Sequence, residues 1–249
     1  METRRPRRTG KAFLVALLGV TAMLLLSSTA SAAGPISQSL VTIGKPSKGD
    51  KKKFSGISLH TIISTTYDSF VGAPSPMETV FTIPKDLKFV SGNVPPCPAS
   101  SINAGQSHAQ AQAACGSSIV GQGFALVNNG SGLFPNQNPV WLISGGPTTI
   151  YVHTDLLNAA GASSGIPLLI TGQIQDKKLD FTGLPNTAGT DLTVFDTTFN
   201  KRKTGKKSFY VMARCKKKKW ATTETTTFWP PGPTLSASSS QKCKQKKKK

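Results

Sequence analysis

Acid–base or hydrolytic chemistry needs a nucleophile or an activated water, a base, and a group that orients the base. The residues able to supply these are few. The histidines are His60, His108 and His153, and after residue 32 the only glutamates are Glu78 and Glu224. One pair is suggestive: His153 and Asp155 stand at i and i+2, sharing a strand face with Tyr151 while Ile150 and Val152 point the other way. Two ligands are too few for a zinc site without distant help, so the pair reads first as a solvated strand face opposite a core face. Ser117, Ser118 and Gly121 make no Gly-x-Ser-x-Gly elbow, and Gly121-Gln-Gly123 lacks the third glycine and following helix of a dinucleotide loop. No phosphate loop, EF-hand pattern or His-Glu-x-x-His occurs. The expectation is a non-enzymatic protein with no catalytic residues, no metal and no cofactor.

Two other groups of residues could bind rather than react. Trp220, Phe228 and Trp229 could form a flat aromatic platform on which sugars stack, with Phe228-Trp229-Pro230-Pro231 on a turn. That reading makes the chain a carbohydrate-binding module, or with His153 and Asp155 a weak glycan hydrolase. Core packing is the commoner use of such rings. The second group is cationic: Lys216, Lys217, Lys218 and Lys219, then Lys244, Lys246, Lys247, Lys248 and Lys249. The chain has 30 basic and 11 acidic residues and a pI near 10.0, yet the excess is not spread evenly. Residues 33–200 carry as many acidic as basic side chains, whereas in residues 201–249 only Glu224 opposes the lysines and arginines. A neutral body with a cationic end differs from the broad basic face of a nucleic-acid-binding domain. Non-specific nucleic-acid binding in vitro remains open, because lysine neutralises phosphate without reading sequence. Lys244 to Lys249 lack the interleaved aromatic residues of a single-strand platform. An anionic membrane surface would also attract them. If the chain is exported from a bacterium, as its first residues suggest below, the nearest dense polyanions are phosphate- or carboxylate-bearing envelope polymers, the preferred partner here. Oligomeric state is not readable.

Export is suggested by the first 32 residues. Arg4, Arg5, Arg7, Arg8 and Lys11 precede the apolar run Ala12 to Leu26, which gives way to small residues through Ala33. Cleavage is expected after Ala32, or alternatively Ala33, giving a secreted protein that is extracellular or attached to the envelope. The four cysteines, Cys97, Cys115, Cys215 and Cys243, then favour disulfides. Three pairings are open, and the local one, Cys97–Cys115 with Cys215–Cys243, closes separations of 18 and 28 residues.

The elements that must position these residues are strands. Ile57 to Thr65 alternates apolar and polar side chains with period 2. Further strands are expected at 36–43, 79–83, 118–127, 140–144, 148–154, 168–175, 192–200, 208–214 and 220–229, separated by Gly, Pro or Asn. Gly121 and Gly123 suggest a bulge or a close backbone approach. Asn128-Asn129-Gly130 suits a type I′ hairpin turn. Between Cys97 and Cys115 the Ala/Gln-rich composition predicts a short helix or compact loop. The whole reads as one all-β domain over residues 33–243, a single β-sandwich before an open barrel, followed by a disordered lysine-rich tail at 244–249.

The chain also resembles a group of uncharacterised exported actinobacterial β-rich proteins. The likeness rests on Phe81-Thr-Ile-Pro-Lys85 with Leu87 and Phe89, Pro95-Pro-Cys97, Cys115 before Ser118-Ile-Val-Gly121-Gln-Gly123, and the late Cys215 and Cys243 flanked by lysines. It implies secretion, β structure, two disulfides and a lysine-rich C-terminus. It brings no known activity and no functional residue. Ser107 to Ala114 departs from the pattern as a longer Gln/Ala insert.

Overall fold

Period-2 burial dominates the structure, a computed structural model that describes residues 34–68, 73–92, 94–128, 137–158, 160–186, 191–204, 206, 209–230 and 232–246. Residues 1–33, on which the expected export signal falls, Asn129 and Gly130 of the expected Asn128-Asn129-Gly130 turn, and Lys247 to Lys249 lie outside the described residues. In chain order the strands are β1 Pro35–Lys45, β2 Lys48–Gly49, β3 Ser55–Gly56, β4 Ser58–Tyr67, β5 Pro76–Thr82, β6 Leu87–Phe89, β7 Ile119–Asn128 and β8 Asn138–Ser144. They continue with β9 Thr149–Leu157, β10 Ser163–Gln175, β11 Lys178–Phe181, β12 Asp191–Phe199, β13 Val211–Ala213, β14 Lys219–Phe228, β15 Thr234–Lys242 and β16 Lys244–Gln245. Among the described residues one α-helix, α1 His108–Cys115, interrupts them. It starts where Ser107 and Gln110 form a reciprocal capping box.

Among the described residues eleven strands form one antiparallel sheet, in the order β1-β4-β12-β7-β8-β9-β10-β11-β5-β14-β15. The last strand returns to the first, so the sheet is nearly closed. The all-β expectation therefore holds, with a short helix between Cys97 and Cys115, and the sheet takes the open-barrel arrangement rather than the sandwich. On β14 the parity is plain: Trp220, Thr222, Glu224, Thr226 and Phe228 are buried inward while the alternate residues are exposed or half-buried. Leu59, Val120, Leu142, Ile150, Val152, Phe181 and Phe199 fill the interior from the other strands.

The opening between β1 and β15 is bridged by side chains. The Thr42 N–H donates to Ser239 Oγ at 2.9 Å and the Gly44 N–H to Gln241 Oε1 at 2.6 Å, while Gln241 Nε2 donates back to Gly44 O at 3.1 Å. No backbone ladder joins these two strands among the described residues. The serine-rich sequence of β15 thus supplies acceptors that a neighbouring strand would otherwise provide.

The expected close approach at Gly121 and Gly123 is real. The register shifts between Ile119 and Gly121, and a Cβ on Gly123 would stand 1.9 Å from Asp196 O of β12. Gly123→Ala must therefore push two paired strands apart and is expected to cost about 3 kcal/mol. Gly116, with open space around it, is the control. In urea unfolding Gly116→Ala should change stability far less, and equal costs would refute the steric account.

Candidate functional site

Strand register brings the cations together. Lys45 of β1, Lys178 of β11, Lys219 of β14 and Lys242 of β15 all sit at the same end of the barrel, the end at which β12 finishes at Phe199 and β7 begins. The connections at this end carry the rest: Lys48, Lys51, Lys52, Lys53, Lys85, Lys88, Lys177, Lys201, Arg202, Lys203, Lys206, Arg214, Lys216, Lys217, Lys218, Lys244 and Lys246. Every described lysine and arginine is therefore at one end, accompanied there by Asp50, Asp86 and Asp176. At the opposite end stand Asp68, Glu78, Asp155 and Asp191. The residues Lys45 to Lys53, Lys85 and Lys88 were not among those picked from the sequence. Their membership follows from strand direction, which local composition does not reveal.

This end is a built rim. The strands β3, β13 and β6 form a small sheet over it, and β16 pairs in parallel with β2. The Cys215 N–H donates to Asp50 O at 2.8 Å, Lys244 N–H to Ser47 O at 2.8 Å, and Lys246 N–H to Gly49 O at 3.0 Å. Gln245 Nε2 reaches Cys215 O at 2.9 Å. The Cys215–Cys243 disulfide ties the same two segments, and the expected local pairing is found for Cys97–Cys115 as well. So Lys244, Gln245 and Lys246 belong to the fold, a correction to the expectation of a disordered tail. Backbone pairing with residues 47–49, far away in sequence, provides the reason.

Asp86 organises the exposed run Lys216 to Lys219. Its carboxylate, 5% exposed, accepts from Arg214 Nε at 2.9 Å, Lys216 N–H at 3.0 Å and Lys217 N–H at 3.3 Å. Burial alone would raise its pKa, but these donors outweigh burial and hold it below the ordinary carboxylate value. Lys218, in the left-handed region at φ 60°, turns the run. Arg214 and Lys88 both lie over the Phe54 ring, at 4.8 and 4.7 Å. The arrangement can hold a multivalent anion by many point charges.

The aromatic rings offered as a platform do not form one exposed surface. Trp220 is buried at the cationic end, donating Nε1–H to Arg214 O at 2.8 Å. Phe228 is buried at the far end of the same strand, beside Tyr67 and Ala73. Half-buried Trp229 donates to Leu184 O at 3.2 Å. Their separation along β14 puts them at opposite ends of the barrel.

His153 and Asp155 face outward from the barrel, as their parity predicts, but the face is covered rather than solvated. The segment from Cys97 to Cys115 lies over β8 and β9 and buries His153 fully and Asp155 nearly so. His153 Nε2–H donates to Gln106 O at 2.9 Å. Asp155 accepts from Ser163 Oγ at 2.7 Å and the His108 N–H at 3.4 Å. The His108 ring stacks on Trp141, with centroids 4.6 Å apart. Burial lowers the pKa of both histidines, His108 to about 4, so both rings are neutral at pH 7. The cluster pins the helix to the sheet. Among the described residues no group of three or more His, Cys, Asp or Glu is placed to share a metal ion.

Both disulfides are consistent with an oxidising environment, and no described helix is long and apolar enough to cross a membrane. No family model matches the chain, and no curated protein or solved structure is significantly similar to it.

Proposed function

We propose that this is an exported, non-enzymatic barrel protein retained at the bacterial cell envelope by docking its cationic end on an anionic polymer of that envelope. The observation that carries the reading is the collection of every described lysine and arginine at one end of the barrel, on segments locked together by backbone bonds and a disulfide. A rigid rim keeps its charges side by side without paying the ordering entropy of a free tail at each encounter. A polymer carrying one charge per repeat could then be held at several points, and the partner's spacing need not be matched closely, because lysine is a flexible point charge. The buried duties of His153 and Asp155 favour a binding role over a catalytic one.

The test is envelope retention. A strain producing the full chain is compared with one producing a Lys216→Gln, Lys217→Gln, Lys218→Gln, Lys219→Gln variant, and the envelope fraction is washed with rising salt. The variant should elute at clearly lower salt, because exposed charges are screened over about 8 Å at physiological ionic strength. Retention that ignores both salt and the substitutions would refute the electrostatic mechanism.

A further inference from the structure

The half of the barrel away from the lysines contains a cavity of about 130 Å³. Ile63, Val127, Leu156, Leu168, Ile170 and Leu192 supply much of its wall. Three of them, Leu168 and Ile170 of β10 and Leu192 of β12, are only half-buried although they line the barrel interior, so apolar surface is left uncovered inside the fold. Val152 and Phe195 also line a second space of about 40 Å³ in the cationic half, and thus close the cavity on that side. On the other side it reaches the end of the barrel, where half-buried Leu184 and exposed Pro185 belong to its lining. The space is therefore a dead-end pocket with its mouth at Leu184 and Pro185, not a sealed packing void.

The accessible wall selects hydrocarbon. None of the lining residues is charged. The Gln38 amide engages Glu224 and Thr226, and the Thr79 and Thr226 hydroxyls lie 3.0 Å apart, so these polar groups are occupied by one another. The Thr154 hydroxyl oxygen is covered by its neighbours and presents almost no surface to the space. Covering such a wall with apolar surface drawn from water is favourable roughly in proportion to the area, whereas a charged group would lose its hydration and find no counter-ion. An apolar cavity of about 150 Å³ accommodates the six carbons of benzene, so about five or six carbons fit here.

We propose that this pocket is a binding site for the end of a single aliphatic chain, of the kind lipids carry, with about five or six carbons inside and the rest of the molecule leaving past Leu184 and Pro185. The mouth favours a chain over a compact ring. A chain longer than the space keeps its polar head in water while its end covers Leu168, Ile170 and Leu192. The site is separate from the cationic rim and does not depend on envelope docking.

The experiment titrates the full chain with 1-butanol, 1-hexanol and 1-octanol and follows methyl chemical shifts. Each alcohol should shift the methyls of Ile63, Val127 and Ile170 saturably and leave those of Leu142, in the cationic half, unmoved. Affinity should rise about fourfold per methylene from 1-butanol to 1-hexanol, and clearly less per methylene from 1-hexanol to 1-octanol, whose additional carbons stay in the mouth. Ala125→Leu, which fills the pocket from β7, should weaken 1-hexanol by at least about tenfold, the loss of about two buried methylenes. Ile170→Ala, which enlarges the pocket, should move the break to a longer chain, and it still decides should Ala125→Leu fail to fold. The proposal is overturned if the folded chain shows no saturable shifts at these methyls, if affinity does not grow with chain length up to 1-hexanol, or if either folded variant binds the series just as the parent chain does.

Discussion

Replacing Cys215 and Cys243 together by alanine should lower the stability of the fold by roughly 3.5 kcal/mol, on the chain-entropy model for a 28-residue loop. Alanine is the right replacement because both positions are buried, at 0% and 5% exposure, among apolar neighbours that include Trp220. A serine would add the cost of a buried hydroxyl. The loss should appear as a lower urea midpoint. It should also appear in binding, since the bond anchors the segments bearing Lys216 to Lys219 and Lys244 to Lys246. The matching Cys97→Ala, Cys115→Ala variant opens a loop of 18 residues that clamps the helix on the outer face of β8 and β9. It should destabilise comparably yet leave polyanion affinity unchanged. Equal effects of the two variants on binding would mean that the Cys215–Cys243 bond does not organise the rim.

The second large effect concerns Glu224 and pH. Burial raises its pKa from the ordinary 4.5 to about 7, with the Thr226 hydroxyl opposing part of the rise. Below pH 4.5 the folded and unfolded chains both hold the proton, and the residue contributes no pH dependence. Between about 4.5 and 7 the unfolded chain gives up its proton while the folded chain keeps it, so stability falls as pH rises. Above 7 the penalty is constant, at most about 3 kcal/mol. Asp191, fully buried and raised by burial to about 6, acts in the same direction over a lower window. Glu224→Gln keeps the shape and an acceptor for Thr226. It should stabilise the fold by up to about 3 kcal/mol at pH 8 and by little at pH 4. A variant less stable than the parent at pH 8, or equally shifted at both pH values, would refute the assignment.

Why does a barrel tolerate an inward carboxyl? Glu224 sits on β14 at a position whose parity obliges it to face the interior. Gln38, from β1 across the opening, reaches it. Together with Ser239 and Gln241 this places polar side chains where the sheet lacks a backbone ladder. The bridging of β1 to β15 is therefore carried by side chains, and protonated Glu224 is compatible with that role.

The strands were legible wherever one parity was apolar, as in Ile57 to Thr65, which the structure places within β4 and just before it. Two strands of the large sheet, β11 and β15, left too little trace. The sequence of β15, Thr-Leu-Ser-Ala-Ser-Ser-Ser-Gln-Lys, has only Leu235 and Ala237 as apolar residues, both on its half-buried parity, and neither of its faces is deeply buried. The strand Lys178–Phe181 is only four residues long. Missing β15 hides the strand that brings the sheet back to β1, which is why sandwich and barrel could not be separated by periodicity alone. The cationic end was half legible. Lys216 to Lys219 announce themselves by density, whereas Lys45 to Lys53 look like an ordinary polar turn until β2 pairs with β16. The covering of His153 was not legible at all, because nothing in the Ala/Gln-rich segment says which strands it lies against.

The most direct measurement of the central claim is the affinity of the purified full chain for linear polyphosphate as a function of salt, from about 50 to about 500 mM sodium chloride. Binding through the rim predicts that log K falls linearly with log salt, with a slope magnitude of at least about 4, reduced by roughly 3 when Lys216 to Lys219 are all glutamine. Absence of binding at the lowest salt, or a slope near zero, would contradict the account.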